Sequence, residues 1–154
     1  MSVPVHMGTF FTMSFSEGIF RIRIDQAVNG TIDQAWEWIN CMHDIKMQLN
    51  RPFPLLTEVK HKVEFTSKAR KAMRRLEDVE HFVAHAIWVN SMGMKAMVKF
   101  LMILVPRNLF DEDVFLQESK AIAWLQDKIK QSRYDTITEA EVSEIQFKVK
   151  QEPI

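Results

Sequence analysis

Hydrophobic and polar residues alternate most cleanly from Ile19 to Asp25. Phe20, Ile22 and Ile24 fall on one side of an extended chain, and Arg21, Arg23 and Asp25 on the other. Thr9 to Phe15 has the same strand character, and Ser16-Glu17-Gly18 between the two runs supplies a turn, so a β-hairpin is expected. Asn29-Gly30 ends the alternation. From Thr31 the apolar positions change to helical spacing (Ile32, Ala35, Trp36, Ile39, Met42, Leu49), and Thr31 with Gln34 reads as a capping box, each side chain meeting the other's free backbone N–H. Arg51-Pro52-Phe53-Pro54 stops this helix near residue 49, because proline lacks the N–H and restricts the residue before it.

The apolar run in Pro54 to Val59 predicts a buried strand. Thr66 or Ser67 then opens a second helix with Ala69, Ala72, Met73, Leu76 and Val79 in phase. Val83 to Val89 is β-rich. Asn90-Ser91 caps a third helix from Met92 to about Val105, ended by Pro106. Asp111 to Asp113 reads as a turn, Val114 to Leu116 as a short strand, and Glu118 to about Arg133 as a final helix carrying Ala121, Ile122, Leu125 and Ile129. The predicted order is β-β-α-β-α-β-α-β-α. Strands alternating with helices after a hairpin imply an α/β fold: a mixed β-sheet with parallel crossovers covered by helices. The expected domain is 1–133, followed by a C-terminal tail, 134–154, extended or partly disordered. In that tail Ile145, Phe147 and Val149 alternate, so a late strand or a partner-binding segment is the other reading.

Composition narrows the class. A chain of 154 residues holds one domain, and 47% hydrophobic residues with eleven Phe and four Trp are enough to build its core. Twenty basic residues offset twenty acidic ones, so long-range attraction to nucleic acid or to an anionic membrane is not built in. The single cysteine, Cys41, forbids an internal disulfide and fits a reducing cytoplasm. Met1 to Phe15 lacks the basic start and unbroken apolar stretch of a secretory leader. The longest apolar run, Phe100 to Val105, is far short of the roughly 18 residues of a membrane span.

Three strings carry a family resemblance. Arg51-Pro52-Phe53-Pro54-Leu55-Leu56 followed by Glu58 and Lys60, Thr66-Ser67-Lys68-Ala69-Arg70, and Phe115-Leu116-Gln117-Glu118 running into Ala121-Ile122-Ala123-Trp124-Leu125 occur in the order and spacing of the STAS superfamily. The chain resembles that superfamily, with its SpoIIAA-like fold of anti-sigma-factor antagonists, and within it the uncharacterised bacterial STAS/SEC14-like branch. The likeness spans about residues 9–131. Glu58 stands where the branch has Asp, and residues from 134 have no counterpart. The resemblance implies a SpoIIAA-like domain regulating by protein contact, often with self-association. In the anti-sigma antagonists a serine at the start of the second helix is phosphorylated, and Thr66 and Ser67 occupy the matching place. Their Asp-Ser-Ser-Gly is Phe65-Thr66-Ser67-Lys68 here, so Thr66 and Ser67 are expected first as a helix cap and second as a switch.

The residues themselves suggest two surfaces. In the third helix Met92, Met94, Met97, Phe100, Leu101 and Leu104 leave few polar positions beyond Lys95 and Lys99. A helix this apolar hides more than one face, so it is expected to pack on the sheet and to present a soft Met-rich surface to a second subunit or an apolar ligand, unless the tail covers it. In the second helix Lys68, Lys71 and Arg75 share a face away from the apolar stripe. That face is a docking site for an acidic group or, more simply, a solvated surface.

No metal, cofactor or catalytic constellation is assembled. His81 and His85 have metal spacing only on a helix, but His85 falls on the expected strand so the two diverge, and Cys41 and His43 point to different sides of their helix. The four glycines (8, 18, 30 and 93) form no phosphate loop. The expectation is a cytoplasmic, non-enzymatic regulatory or protein-interaction module that forms a homodimer. A binding module for a small apolar or lipid-like ligand is the alternative; an enzyme has no positive support.

Overall fold

A computed structural model describes residues 2–24, 26–73, 81–104 and 110–147, side chains at 100–104 excepted. The elements run β1 (Val3–Met7), β2 (Thr12–Ser16), β3 (Ile19–Ile24), β4 (Val28–Gly30), α1 (Ile32–Leu49), β5 (Phe53–Val59), β6 (Val63–Phe65), α2 (Ser67–Met73), β7 (Phe82–Val89), α3 (Met92–Leu104), β8 (Asp111–Phe115), α4 (Glu118–Gln131) and α5 (Glu139–Ser143). Six strands form one mixed sheet in the order β1-β2-β3-β5-β7-β8, antiparallel through β3 and parallel thereafter. The β2–β3 hairpin closes on Glu17 (φ 55°) and Gly18 (φ 79°), the two left-handed residues of a tight turn.

The alternation in β3 works as expected. Phe20, Ile22 and Ile24 join α1 in the larger core, whereas Ile19 belongs to a second core under α4. In the larger core Phe15, Phe20, Phe53, Phe82 and Phe110 meet edge to face in sequence at 5.0–5.3 Å, an aromatic row running across the sheet. Ala35, Trp36, Ile39, Met42 and Ile45 of α1 seal that side. The Thr31–Gln34 capping box is present. Asn50 ends α1 in the left-handed conformation, just ahead of the Arg51-Pro52 stop. On the other face Ala121 and Leu125 of α4 pack on Leu56, Ala84 and Ala86. Helix α4 packs chiefly on β7, β5 and β8.

Several expectations are corrected. The hairpin is not the first element, because β1 precedes it, and the strand expected over Thr9–Phe15 begins at Thr12. Phe10 and Phe11 instead turn inward to stack around Trp38, where aromatic burial outweighs strand continuity. Strands β4 and β6 were not expected. At three residues each they are too short to alternate, and they pair with each other in a separate parallel ribbon, with the Phe65 ring packed where a Gly30 side chain would otherwise stand. The Asp111–Asp113 turn is the first half of β8. Its charges sit in a strand because each has a basic or imidazole partner: Asp111 with Lys128, Glu112 with His85, Asp113 with Lys99. Leu76 and Val79 of the expected second helix lie outside the described residues.

Residues 134–147, expected as a loose tail, fold back onto the domain. A capping box at Thr138–Glu141 starts α5, and Ile137 and Val142 are buried in the larger core. Arg51 holds the Asp135 carbonyl (2.8 Å) and Glu141 (3.2 Å), the Gln48 amide exchanges two hydrogen bonds with the backbone of Gln146, and Phe147 stacks on His6. Two apolar anchors and a side-chain clamp give this segment the contacts its polar composition concealed. Val149 lies outside the described residues.

Candidate functional site

Helix α3 starts where the sequence placed it. Ser91 is the cap, its hydroxyl accepting from the Met94 N–H at 3.2 Å and its carbonyl from Lys95. Its principal packing partner is β8, at the edge of the sheet. None of residues 91–99 is buried: Met92 is 67% exposed, Met97 46%, and Met94 and Val98 half-buried. The docked segment 134–147 contacts α1 and β1 and does not cover this stretch. The side chains of Phe100, Leu101 and Leu104, expected in the same surface, lie outside the described residues.

At α2, Thr66 is the cap: its Oγ1 accepts from the Ala69 N–H at 3.2 Å, and its own N–H bonds the Gly30 carbonyl. Ser67 is exposed and accepts from the Arg70 guanidinium at 3.3 Å. Lys68 and Lys71 are exposed, while Arg75 lies outside the described residues. The structure thus places the two hydroxyls together at a helix start and gives them capping and surface roles.

Two constellations escaped the sequence reading. The first is buried. His85 Nδ1 lies 2.7 Å from Glu112 Oε2, and its Nε2 lies 2.8 Å from Thr57 Oγ1. The sheet register brings these together: His85 is directly opposite Glu112, and Thr57 is diagonally across on β5. Positions 28 residues apart carry no local signal of this pairing.

The second is open to solvent. On the face of the sheet that carries Arg21, Arg23 and Glu58 a cleft of about 320 Å³ is lined by Pro4, Thr12, Ser14, Arg21, Arg23, Leu56, Glu58, Trp88 and Glu118, among others. Glu58 is nearly buried and ion-paired twice, to Arg23 (3.0 Å) and Lys60 (2.8 Å). Burial pushes its carboxyl pKa up, but the hydrogen bonds and charges of Lys60 and Arg23 outweigh this and hold it below the ordinary value. Lys60 also lies over the Trp88 ring at 5.7 Å. Across the cleft, Arg21 Nη1 reaches Glu118 Oε1 at 3.2 Å. Arg21 and Arg23, which the alternation places on the side of β3 opposite Phe20, Ile22 and Ile24, here line a concave site.

Among the described residues no three His, Cys, Asp or Glu side chains converge as a metal site, and no helix is long and apolar enough to cross a membrane.

The fold is SpoIIAA-like. A crystal structure of an uncharacterized DUF3478-family protein from Shewanella loihica PV-4, described as having a SpoIIAA-like fold, superimposes with a TM-score of 0.57 over 81% of this chain and 95% of that one, at 11% sequence identity. The STAS resemblance seen in the sequence strings is therefore met at the level of the fold. The chain itself belongs to the family described as Domain of unknown function (DUF7793), whose pattern matches residues 13–129. Comparison with curated proteins gives no match.

Proposed function

We propose that this domain is a non-enzymatic regulatory module of the reducing cytoplasm that works by protein contact, and that its partners include a second copy of itself bound through α3. One observation carries the reading: Met92 and Met97 are exposed on a helix whose main contact is with a single edge strand. Methionine side chains are flexible and polarisable, suited to an adaptable contact. The sheet edges offer poorer routes. At one edge β1 is broken by Pro4 and a register shift, and at the other β8 opens with Asp-Glu-Asp, devices that discourage strand addition. The single cysteine is buried and unpaired, in keeping with a reducing compartment.

Light scattering on the purified chain tests this. A dimer is expected for the wild type, and a monomer of unchanged circular dichroism for the double variant Met92→Glu, Met97→Glu. A monomeric wild type, or a dimer indifferent to both charges, overturns the self-association. Should native mass spectrometry find lipid or another apolar molecule carried by the wild type and lost in the variant, the alternative of an apolar-ligand module replaces it.

A further inference from the structure

We propose that the cleft on the outer face of β2, β3 and β5 is a binding site for a small aromatic carboxylate. Its volume of about 320 Å³ lies at the lower end of the roughly 300–1,000 Å³ typical of small-molecule sites. The charged anchor is Arg21. One guanidinium nitrogen is engaged by Glu118, whereas Nε is inaccessible to solvent and has no hydrogen-bond partner among the described residues. A buried, unspent N–H beside a lined cavity is a donor waiting for an acceptor, because leaving it unmade forfeits its hydration without return. Once Glu118 swings out, the planar guanidinium is free to turn and to present Nε with an Nη as the fork that a carboxylate fits with two parallel bonds.

The surroundings favour one such group. Ser14 stands opposite Arg21 and Thr12 opposite Arg23 in the β2–β3 register, so both hydroxyls are on the arginine side of the sheet; neither makes a hydrogen bond among the described residues. Glu58 is held ionised but matched by Arg23 and Lys60, so it adds little repulsion. Glu118 is the one competitor. At 40% side-chain exposure on the first turn of α4 it is free to swing out when a ligand carboxylate takes its place on Arg21. The aromatic part follows from the wall: Trp88, half-buried with Lys60 over its ring, lines the cleft beside Leu56 and Pro4 and gives it an apolar side. The site lies toward β1, away from the edge strand that carries α3, and stands or falls separately from the self-association.

The test uses indole-3-acetate as the probe, titrated into the full chain while the Arg21 Nε–H and Trp88 indole N–H are followed by ¹⁵N-resolved NMR. Both signals are expected to move saturably. Tryptamine, with the same ring and the opposite charge, is expected to leave them in place. Arg21→Met weakens binding by at least about tenfold, as the loss of a charged hydrogen-bond pair does. Glu118→Gln tightens it several-fold by removing the competitor. Ser14→Leu, which fills the floor and keeps every charge, abolishes it and serves if Arg21→Met does not fold. The proposal is overturned if the probe gives no saturable shift, if tryptamine or inorganic phosphate reproduces it, if folded Arg21→Met binds as tightly as the wild type, or if binding survives in folded Ser14→Leu.

Discussion

Nδ1 of His85 lies 2.7 Å from Oε2 of Glu112, and both side chains are almost entirely withdrawn from solvent, at 10% and 6% exposure. The pair joins β7 to the edge strand β8, and Thr57 extends it to β5, so three neighbouring strands share one polar chain inside the sheet's packed face. Both ring nitrogens of His85 thus have a polar partner, Glu112 at Nδ1 and the Thr57 hydroxyl at Nε2. Such networks fix register, since a slip would strand each buried group without a partner.

Energetics separate the two bonds. Thr57→Val removes one hydrogen bond at nearly constant volume and should cost about 1 kcal/mol, whereas Glu112→Ala leaves the buried imidazole without its carboxyl partner and should cost about 2–3 kcal/mol. Replacing both members, His85→Leu with Glu112→Leu, should cost clearly less than the sum of those two leucine substitutions made singly, because no buried polar group is left without its partner. Urea unfolding of the wild type, Thr57→Val, Glu112→Ala, the two leucine singles and their double measures this. Simple additivity would mean that the contact contributes nothing as a pair.

How much of this was legible follows physical lines. The β3 alternation, the Thr31–Gln34 box and the Pro52 stop are local signals, and they produced β3 and α1 within a residue or two. Strands β4 and β6 are defined only by each other, three residues at a time, so no window along the chain contains their pattern. The acidic run at the start of β8 read as a turn because its partners Lys128, His85 and Lys99 come from other elements. The exposed methionines of α3 were visible as composition. The cleft was not, since its lining comes from five strands of the sheet and the start of α4.

Acid should test the Glu58 cluster. Because the folded-state pKa of Glu58 is depressed, its contribution to stability is complete above the ordinary carboxylate range, about pH 4.5. It is lost as pH falls through the depressed folded value. Wild type and Glu58→Gln should therefore differ most in urea midpoint at pH 6–7 and converge toward pH 3. A constant gap across that range would show that the ion pairs to Arg23 and Lys60 do not set the pH dependence.

Cys41 should behave as an inert core residue. It is 3% exposed; burial pushes its thiol pKa up, and the nearby negative charges of Asp44 and Glu37 push it further the same way. At pH 8 the native chain should react with an aromatic disulfide reagent at least ~100-fold more slowly than the denatured chain, the residual rate reporting opening of the fold. Rapid modification of the native protein would mean that α1 parts from the sheet far more readily than its packing implies.

The segment after α4 offers a decision between a docked element and a tail. Ile137 and Val142 are about 95% buried, and Arg51 and Gln48 tie down the backbone on either side of them. If these contacts hold in solution, Ile137→Ala should cost about 2–4 kcal/mol, the range for deleting a buried aliphatic side chain. Arg51→Ala should cost less, about 1–2 kcal/mol, because its bonds to Glu141 and the Asp135 carbonyl are partly exposed to water. A loose tail predicts values near zero for both. Hydrogen exchange supplies the matching readout: the Val142 amide, bonded to the Thr138 carbonyl, should be protected in the wild type and lose that protection in Ile137→Ala before the α1 core does.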